Sequence, residues 1–144
     1  MLEQTCEVNV VEAVEAITFL AVELNSPSNL MLCKTLYLAD LICFESYKYL
    51  LYGETYRAFI HGAFTAFAYD ILQHPWCYHV YMQISDEDIS LIKNAFVVDG
   101  DSDGKRVSAK RNVDFSILST PKWRCLRQAA DWVNRNNVGD LFAR

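Results

Sequence analysis

Three groupings of residues have the types and spacing to do chemistry. Asp99-x-Asp101-x-Asp103-Gly104 copies the first half of an EF-hand calcium loop, where alternating carboxylates meet the ion and glycine makes the turn. The twelfth position of such a loop needs a bidentate glutamate, but Lys110 stands there, and Lys105 and Arg106 put positive charge where ligands belong. A solvated hairpin turn is the expectation. His74, Cys77 and His79 offer donors that zinc accepts, yet a structural site needs four ligands, usually in two spaced pairs, and no second pair follows. These read as aromatic-core neighbours with incidental histidines. The third candidate is Asp40, four residues after Leu36, three after Tyr37 and four before Phe44, hence on one helix face with all three. A carboxylate on an apolar face must find a hydrogen-bond partner or be costly. It either fixes the fold through an internal bond or serves as a half-buried anchor at an interface.

Nucleophilic chemistry has little support. The chain contains no Gly-x-Ser-x-Gly, no phosphate-cradling glycine loop and no His-Glu-x-x-His. With only 5 glycines, few tight ligand-cradling turns are available. The expectation is a protein without catalytic residues, metal or cofactor. A hydrolase or transferase would instead have to work through Asp40 or His61.

The elements that would position these residues are legible from periodicity. Val10, Val14, Ile17, Ala21 and Leu24 recur at helical spacing, with Glu12, Glu15 and Glu23 on the other side, which predicts an amphipathic helix from Val8 to Leu24. Phe19 falls among the glutamates, to be covered by another element or by a partner. Asn25-Ser26-Pro27-Ser28-Asn29 breaks the chain with a serine cap. From Leu30 to Tyr47 the sequence is apolar around most of its circumference, predicting a buried central helix that ends near Tyr49. Glu54 to Ile60 reads as a short extended segment, His61-Gly62 as a turn, and Ala63 to Gln73 as helix stopped by Pro75. Trp76 to Ile84 suits strand or helix equally. Ser85-Asp86-Glu87-Asp88 opens a further helix, and Asn94 to Val98 with Lys105 to Arg111 predicts a hairpin. Ser119-Thr120-Pro121 starts a last helix, with Trp123, Leu126, Ala130 and Val133 on its inner stripe. The fold class is α+β: one mainly helical domain over residues 1–144, with a central buried helix and a small antiparallel sheet or hairpin.

Composition narrows the function classes. The chain is 52% hydrophobic and 22% charged, the balance of a globular domain and not of a disordered one. No run approaches the roughly 18 apolar residues a membrane span needs, and the acidic N-terminus lacks a secretion-signal pattern. A cytoplasmic protein is expected. The 5 cysteines are odd in number and scattered, which argues for free thiols. The net charge of −5 divides unevenly: residues 1–103 carry 4 Lys/Arg against 15 Asp/Glu, and residues 104–144 carry 9 against 3. The acidic part repels nucleic acid and suits a basic protein partner. Lys105, Arg106, Lys110, Arg111, Lys122, Arg124, Arg127 and Arg135 are the only basis for nucleic-acid binding, without a recognition-helix signature.

Lys34-Thr35-Leu36-Tyr37-Leu38-Ala39-Asp40, followed by Phe44, Tyr47, Gly53, Thr55-Tyr56, His61-Gly62 and Ala68-Tyr69-Asp70-Ile71-Leu72, resembles the SocA-like, or Panacea, antitoxin-associated domain. Val113-Asp114-Phe115-Ser116-x-Leu118-Ser119 is similar to the stretch that opens the family's late helix. The chain departs at Ala63, where the family has the proline of a Gly-Pro turn, at Lys48, where a glycine is usual, and at Lys122, where a capping glutamate is common. The resemblance implies a non-enzymatic antitoxin that binds a partner toxin and blocks it or delivers it to a protease. A nucleic-acid-binding regulator and a mobile-element inhibitor of a host defence protein stay open beside it. The functional centre is expected between Leu32 and Leu72. Phe19, Asp40, Tyr56, Arg57, His61 and Gly62 are the expected partner contacts, with the acidic face near Phe19 and the His61-Gly62 turn foremost.

Overall fold

The computed structural model describes residues 9–51, 56–59, 62–65, 72, 85–101 and 104–136, and of 56–59, 62–65, 101 and 104 the backbone alone. The fold is mainly helical α+β. The order is α1 (Val10–Glu23), α2 (Asn29–Tyr47), β1 (Tyr56–Phe59), β2 (Gly62–Thr65), α3 (Asp86–Ala95), β3 (Phe96–Asp101), β4 (Gly104–Ala109) and α4 (Thr120–Asn136). The strands form two separate antiparallel hairpins, β1–β2 and β3–β4.

Helix starts follow the capping chemistry of the sequence. Asn9 Oδ1 accepts from the Glu12 amide at 3.1 Å, Ser28 Oγ from Met31 at 3.1 Å, and Ser85 Oγ from Asp88 at 3.1 Å. The cap of α2 is therefore Ser28, and Pro27 precedes the helix without entering its first turn. Between α1 and α2 the chain reverses through two non-glycine residues in the left-handed region, Asn25 at φ 59° and Ser26 at φ 55°. Contacts to β4 hold that corner. Val107 donates its amide to the Pro27 carbonyl at 2.9 Å, Ser26 and Ser108 hydroxyls meet at 3.0 Å, and Arg106 Nη1 donates to the Ser26 carbonyl at 3.2 Å.

The most enclosed helix is α1. Every residue from Ala13 to Ala21 is buried, including Glu15, Thr18 and Phe19, so the helix is surrounded and not one-faced. It packs on α2, α3, α4 and β4. The amphipathic expectation fails here because the polar side is also covered, by elements that arrive about a hundred residues later in the chain. Thr18 Oγ1 satisfies its buried hydroxyl by donating to the Val14 carbonyl at 2.7 Å. On α2, Leu32, Cys33, Leu36, Ala39 and Cys43 face the core, but Leu41, Phe44 and Tyr47 are exposed. The expected central helix is thus covered from Leu30 to Asp40 and opens to solvent on one side from Leu41, while α1 is the more enclosed helix. Cys125, Leu126, Ala129, Ala130 and Val133 form the inner stripe of α4, which packs along α2.

Glu15 is the decisive polar group of this core, only 2% exposed. Arg111, just after β4, donates to both of its oxygens, Nη2 to Oε1 at 2.6 Å and Nη1 to Oε2 at 2.9 Å. The Asp114 amide adds a third bond to Oε2 at 2.7 Å. Two further cross-links from α1 lie nearer the surface: Lys122 Nζ to Glu12 Oε1 at 2.9 Å and Arg127 Nη1 to Glu23 Oε1 at 2.9 Å. Three ion pairs thus join α1 to the basic C-terminal part of the chain.

A further expectation needs correction. Residues 63–65, expected to open a helix from Ala63 to Gln73, lie in β2 and pair with β1, Phe59 opposite Gly62 and Tyr56 opposite Thr65. Pairing with the β-compatible Tyr56–Phe59 run satisfies their backbone groups across the ladder, and this overrides a weak local preference for helix. Leu72, within the same expected helix, is helical and fully buried. The expected segment Trp76–Ile84 lies outside the described residues.

Removing one partner of a buried ion pair leaves the other charge uncompensated. Glu15→Ala should therefore destabilise the fold by about 3 kcal/mol, the low end of the range for such pairs because Arg111 is partly solvated. Glu12→Ala and Glu23→Ala should each lose less than about 1 kcal/mol. Urea denaturation of the three variants checks the ranking.

Candidate functional site

Asp40 sits in α2 with its carboxylate turned inward, 3% exposed. Its Oδ1 accepts the Leu51 amide at 2.7 Å, an 11-residue reach that ties the chain following the helix back onto it. No described group bonds Oδ2. Burial pushes the carboxyl up from 3.8 to about 6, over the opposing pull of the Leu51 hydrogen bond and the Lys122 ammonium. One turn along the same face is Cys43, whose thiol is pushed up to about 12 chiefly by burial, with Cys125 and Asp40 adding to the effect. Cys125, from α4, shares a thiol–thiol hydrogen bond with it and is also raised, burial again leading. Both sulfurs stay protonated and are poor nucleophiles. Of the two readings the sequence left for Asp40, the internal bond is the one found.

The stretch that Asp40 tethers is built under constraint. Lys48 caps α2 in the left-handed region at φ 66°, with its amide on the Phe44 carbonyl at 2.9 Å. A non-glycine residue there is disfavoured by about 1–2 kcal/mol. Tyr49 stacks on Tyr47 with centroids 5.7 Å apart and planes 18° apart, and Lys122 Nζ lies 5.8 Å from the centre of its ring. Lys122, bonded to Glu12, thus joins α1, α4 and this turn.

Beside the turn, α2 presents an apolar surface. Leu41 is 45% exposed, Phe44 51%, and Tyr47 and Tyr49 are 37% and 40% exposed. Leu41 and Phe44 share a stripe with Tyr37 and Lys48 at three- and four-residue spacing, directly above the buried side that carries Asp40 and Cys43. Sequence reasoning missed this face because a helix apolar all round reads as buried all round.

The other expected contacts separate. Phe19 is 2% exposed: Trp123 covers it at 5.3 Å between centroids, Phe115 meets it edge-on at 6.3 Å, and the Arg127 guanidinium lies 5.1 Å above the ring. It is a core residue, and the expectation of a contact there is overturned. Glu12, Glu15 and Glu23, the acidic face around it, bond to Lys122, Arg111 and Arg127 instead. Tyr56 and Arg57 lie on β1 opposite Thr65 and Phe64, and Gly62 begins β2, the strand that packs on α2. His61 lies outside the described residues, as do His74, Cys77 and His79. Asp99 and Asp101 sit in the β3–β4 ladder opposite Arg106 and Gly104, a hairpin register in place of an ion-wrapping loop. No group of three or more metal-ligating side chains converges among the described residues.

No family model, curated protein or solved structure matches this chain. Its reading therefore stands on its own residues.

The raised Asp40 carboxyl has a stability consequence of definite sign. The folded state holds the proton more tightly than the unfolded, so the contribution of this group is full below about pH 4 and is lost as the pH rises through about 6. The loss is on the order of 3 kcal/mol by the size of the shift. Asp40→Asn keeps an acceptor for Leu51 but no ionisation. Its stability relative to wild type, by urea denaturation across that pH range, should increase with pH; parallel profiles would contradict the assignment.

Proposed function

We propose that this chain is an antitoxin-type inhibitor that neutralises a partner toxin by direct contact through the exposed face of α2. The observation that carries the reading is that face itself. Leu41, Phe44, Tyr47 and Tyr49 are large apolar groups gathered at one end of a helix whose opposite side is anchored in the core. Aromatic and aliphatic residues on a rigid backing are what binding hot spots are made of. The resemblance of the Lys34–Asp40 and Tyr47–Leu72 motifs to the SocA-like antitoxin-associated domain points the same way.

Charge refines the kind of partner. The glutamates of α1 are paired internally, and the exposed acids among the described residues are Glu45 beside Phe44 on α2, Asp86 and Glu87 on α3, Asp99, Asp114 and Asp131. These groups would steer a basic partner. A nucleic-acid-binding regulator is the weaker reading, because three of its basic residues, Arg111, Lys122 and Arg127, are already bonded to glutamates of α1.

The test is co-expression and pull-down with the protein encoded by the adjacent gene. The wild-type chain should form a complex and restore growth. The double variant Leu41→Glu, Phe44→Glu should lose affinity by roughly a hundredfold or more, as hot-spot losses do. Its own unfolding midpoint should hardly move, since both side chains are about half exposed. Neither complex nor rescue with wild type would reject the proposal.

A further inference from the structure

The buried carboxylate of Asp40 has a function to explain beyond capping the chain after α2. Its Oδ1 holds the Leu51 amide, its Oδ2 has no bond among the described residues, and it lies within the core, 3% exposed. A buried oxygen without a partner strongly favours either a proton or water. Around it, α2 contributes Cys43, and α4 contributes Cys125 and Lys122. Lys122 is in turn neutralised by Glu12 of α1. The thiols bring no charge, and the one cation near it among the described residues is shared with a carboxylate and with the ring of Tyr49. Ionised Asp40 is thus under-compensated where it sits. The segment it holds is itself strained at Lys48 and is fastened otherwise by the buried Leu51 side chain, the Tyr47–Tyr49 stack and Lys122 over the Tyr49 ring.

We infer that the Asp40–Leu51 contact is a proton-operated latch on the turn after α2, closed most firmly when Asp40 is protonated and released more often when it is ionised. Release lets water reach the carboxylate and frees Tyr49 from its place beside Tyr47, so the aromatic end of the α2 face is ordered in a proton-dependent way. That last consequence for partner binding rests on the function proposed above; the latch does not.

The direction follows from linkage. In the closed state the carboxyl loses its proton near 6, and in the opened, hydrated state near the ordinary 3.8. Opening therefore becomes easier as the pH rises, by about tenfold between pH 5 and 7.5 and by roughly a hundredfold over the whole titration. The hydrogen bond from Leu51 favours the charged form, but the burial effect is larger and sets the sign.

Amide hydrogen exchange at Leu51, followed by NMR on the isolated chain and corrected for intrinsic pH dependence, tests this. In wild type the corrected rate should rise about tenfold between pH 5 and 7.5. In Asp40→Asn that excess should vanish. A flat corrected rate in wild type, or an excess that persists in the variant, overturns the latch. Should the variant fail to fold, the carboxyl carbon shift of Asp40 in wild type decides: it must titrate near 6 together with the Leu51 amide, and a midpoint near 3.8 overturns the proposal. Both measurements use the chain alone, so their failure is distinct from failure to bind a toxin.

Discussion

The bond between Glu15 and Arg111 constrains everything around it. A carboxylate this deep is tolerable only with its lone pairs filled, and it takes two guanidinium hydrogens and the Asp114 amide to do so. Arg111 is therefore fixed against α1, and the chain leaving β4 is fixed with it. That placement sets where Phe115 and Trp123 fall, over Phe19, and aims α4 along α2. Lys122, in the first turn of α4, and Arg127, five residues later, repeat the attachment. The hydrophobic core supplies most of the favourable free energy, but it is non-directional. The ion pairs decide which way α1 faces within it.

Much of this fold was readable residue by residue. Ser28 and Ser85 each cap the helix that the sequence places after them, because their side-chain oxygens complete amides that a helix start leaves open, whereas Asn9, the cap of α1, falls inside the helix expected from Val8. The β3–β4 hairpin and the start of α4 at Ser119-Thr120-Pro121 were equally legible, being local turn chemistry. What resisted reading depends on distant partners. Glu15 and Phe19 look like the wet side of an amphipathic helix until Arg111, Phe115 and Trp123 arrive, some hundred residues on. Residues 63–65 joined a strand because β1 was there to pair with. Leu41 and Phe44 were masked by the opposite ambiguity, since a wholly apolar helix gives one sequence signal for enclosure and for an uncovered face. Asp40 was found by its spacing, and its internal bond was one of the two outcomes that spacing allowed.

The two sides of α2 do different work and are mechanically joined. Below, Asp40 and Cys43 meet α4; above, Leu41 and Phe44 meet solvent. Only the turn at Lys48–Leu51 connects both, because Tyr49 leans toward the exposed aromatics while the Leu51 amide reaches inward. A change in the core charge is transmitted over a few ångströms to the end of the proposed binding face, with no rearrangement of the helices.

The sequence separation of the α1 contacts also bears on how the protein is made. Glu12 and Glu23 bond residues 110 and 104 positions downstream, and Glu15 bonds Arg111 at a separation of 96. During synthesis α1 precedes the other helices, carrying a run from Ala13 to Ala21 that is wholly buried in the finished molecule. Until α4 has followed, it has neither its covering aromatics nor its counter-ions. Such long-range closure is slow and leaves apolar surface exposed in the meantime. The core consequently cannot close until the residues through α4 have been made, and its helix richest in core residues is the one that waits longest for shelter.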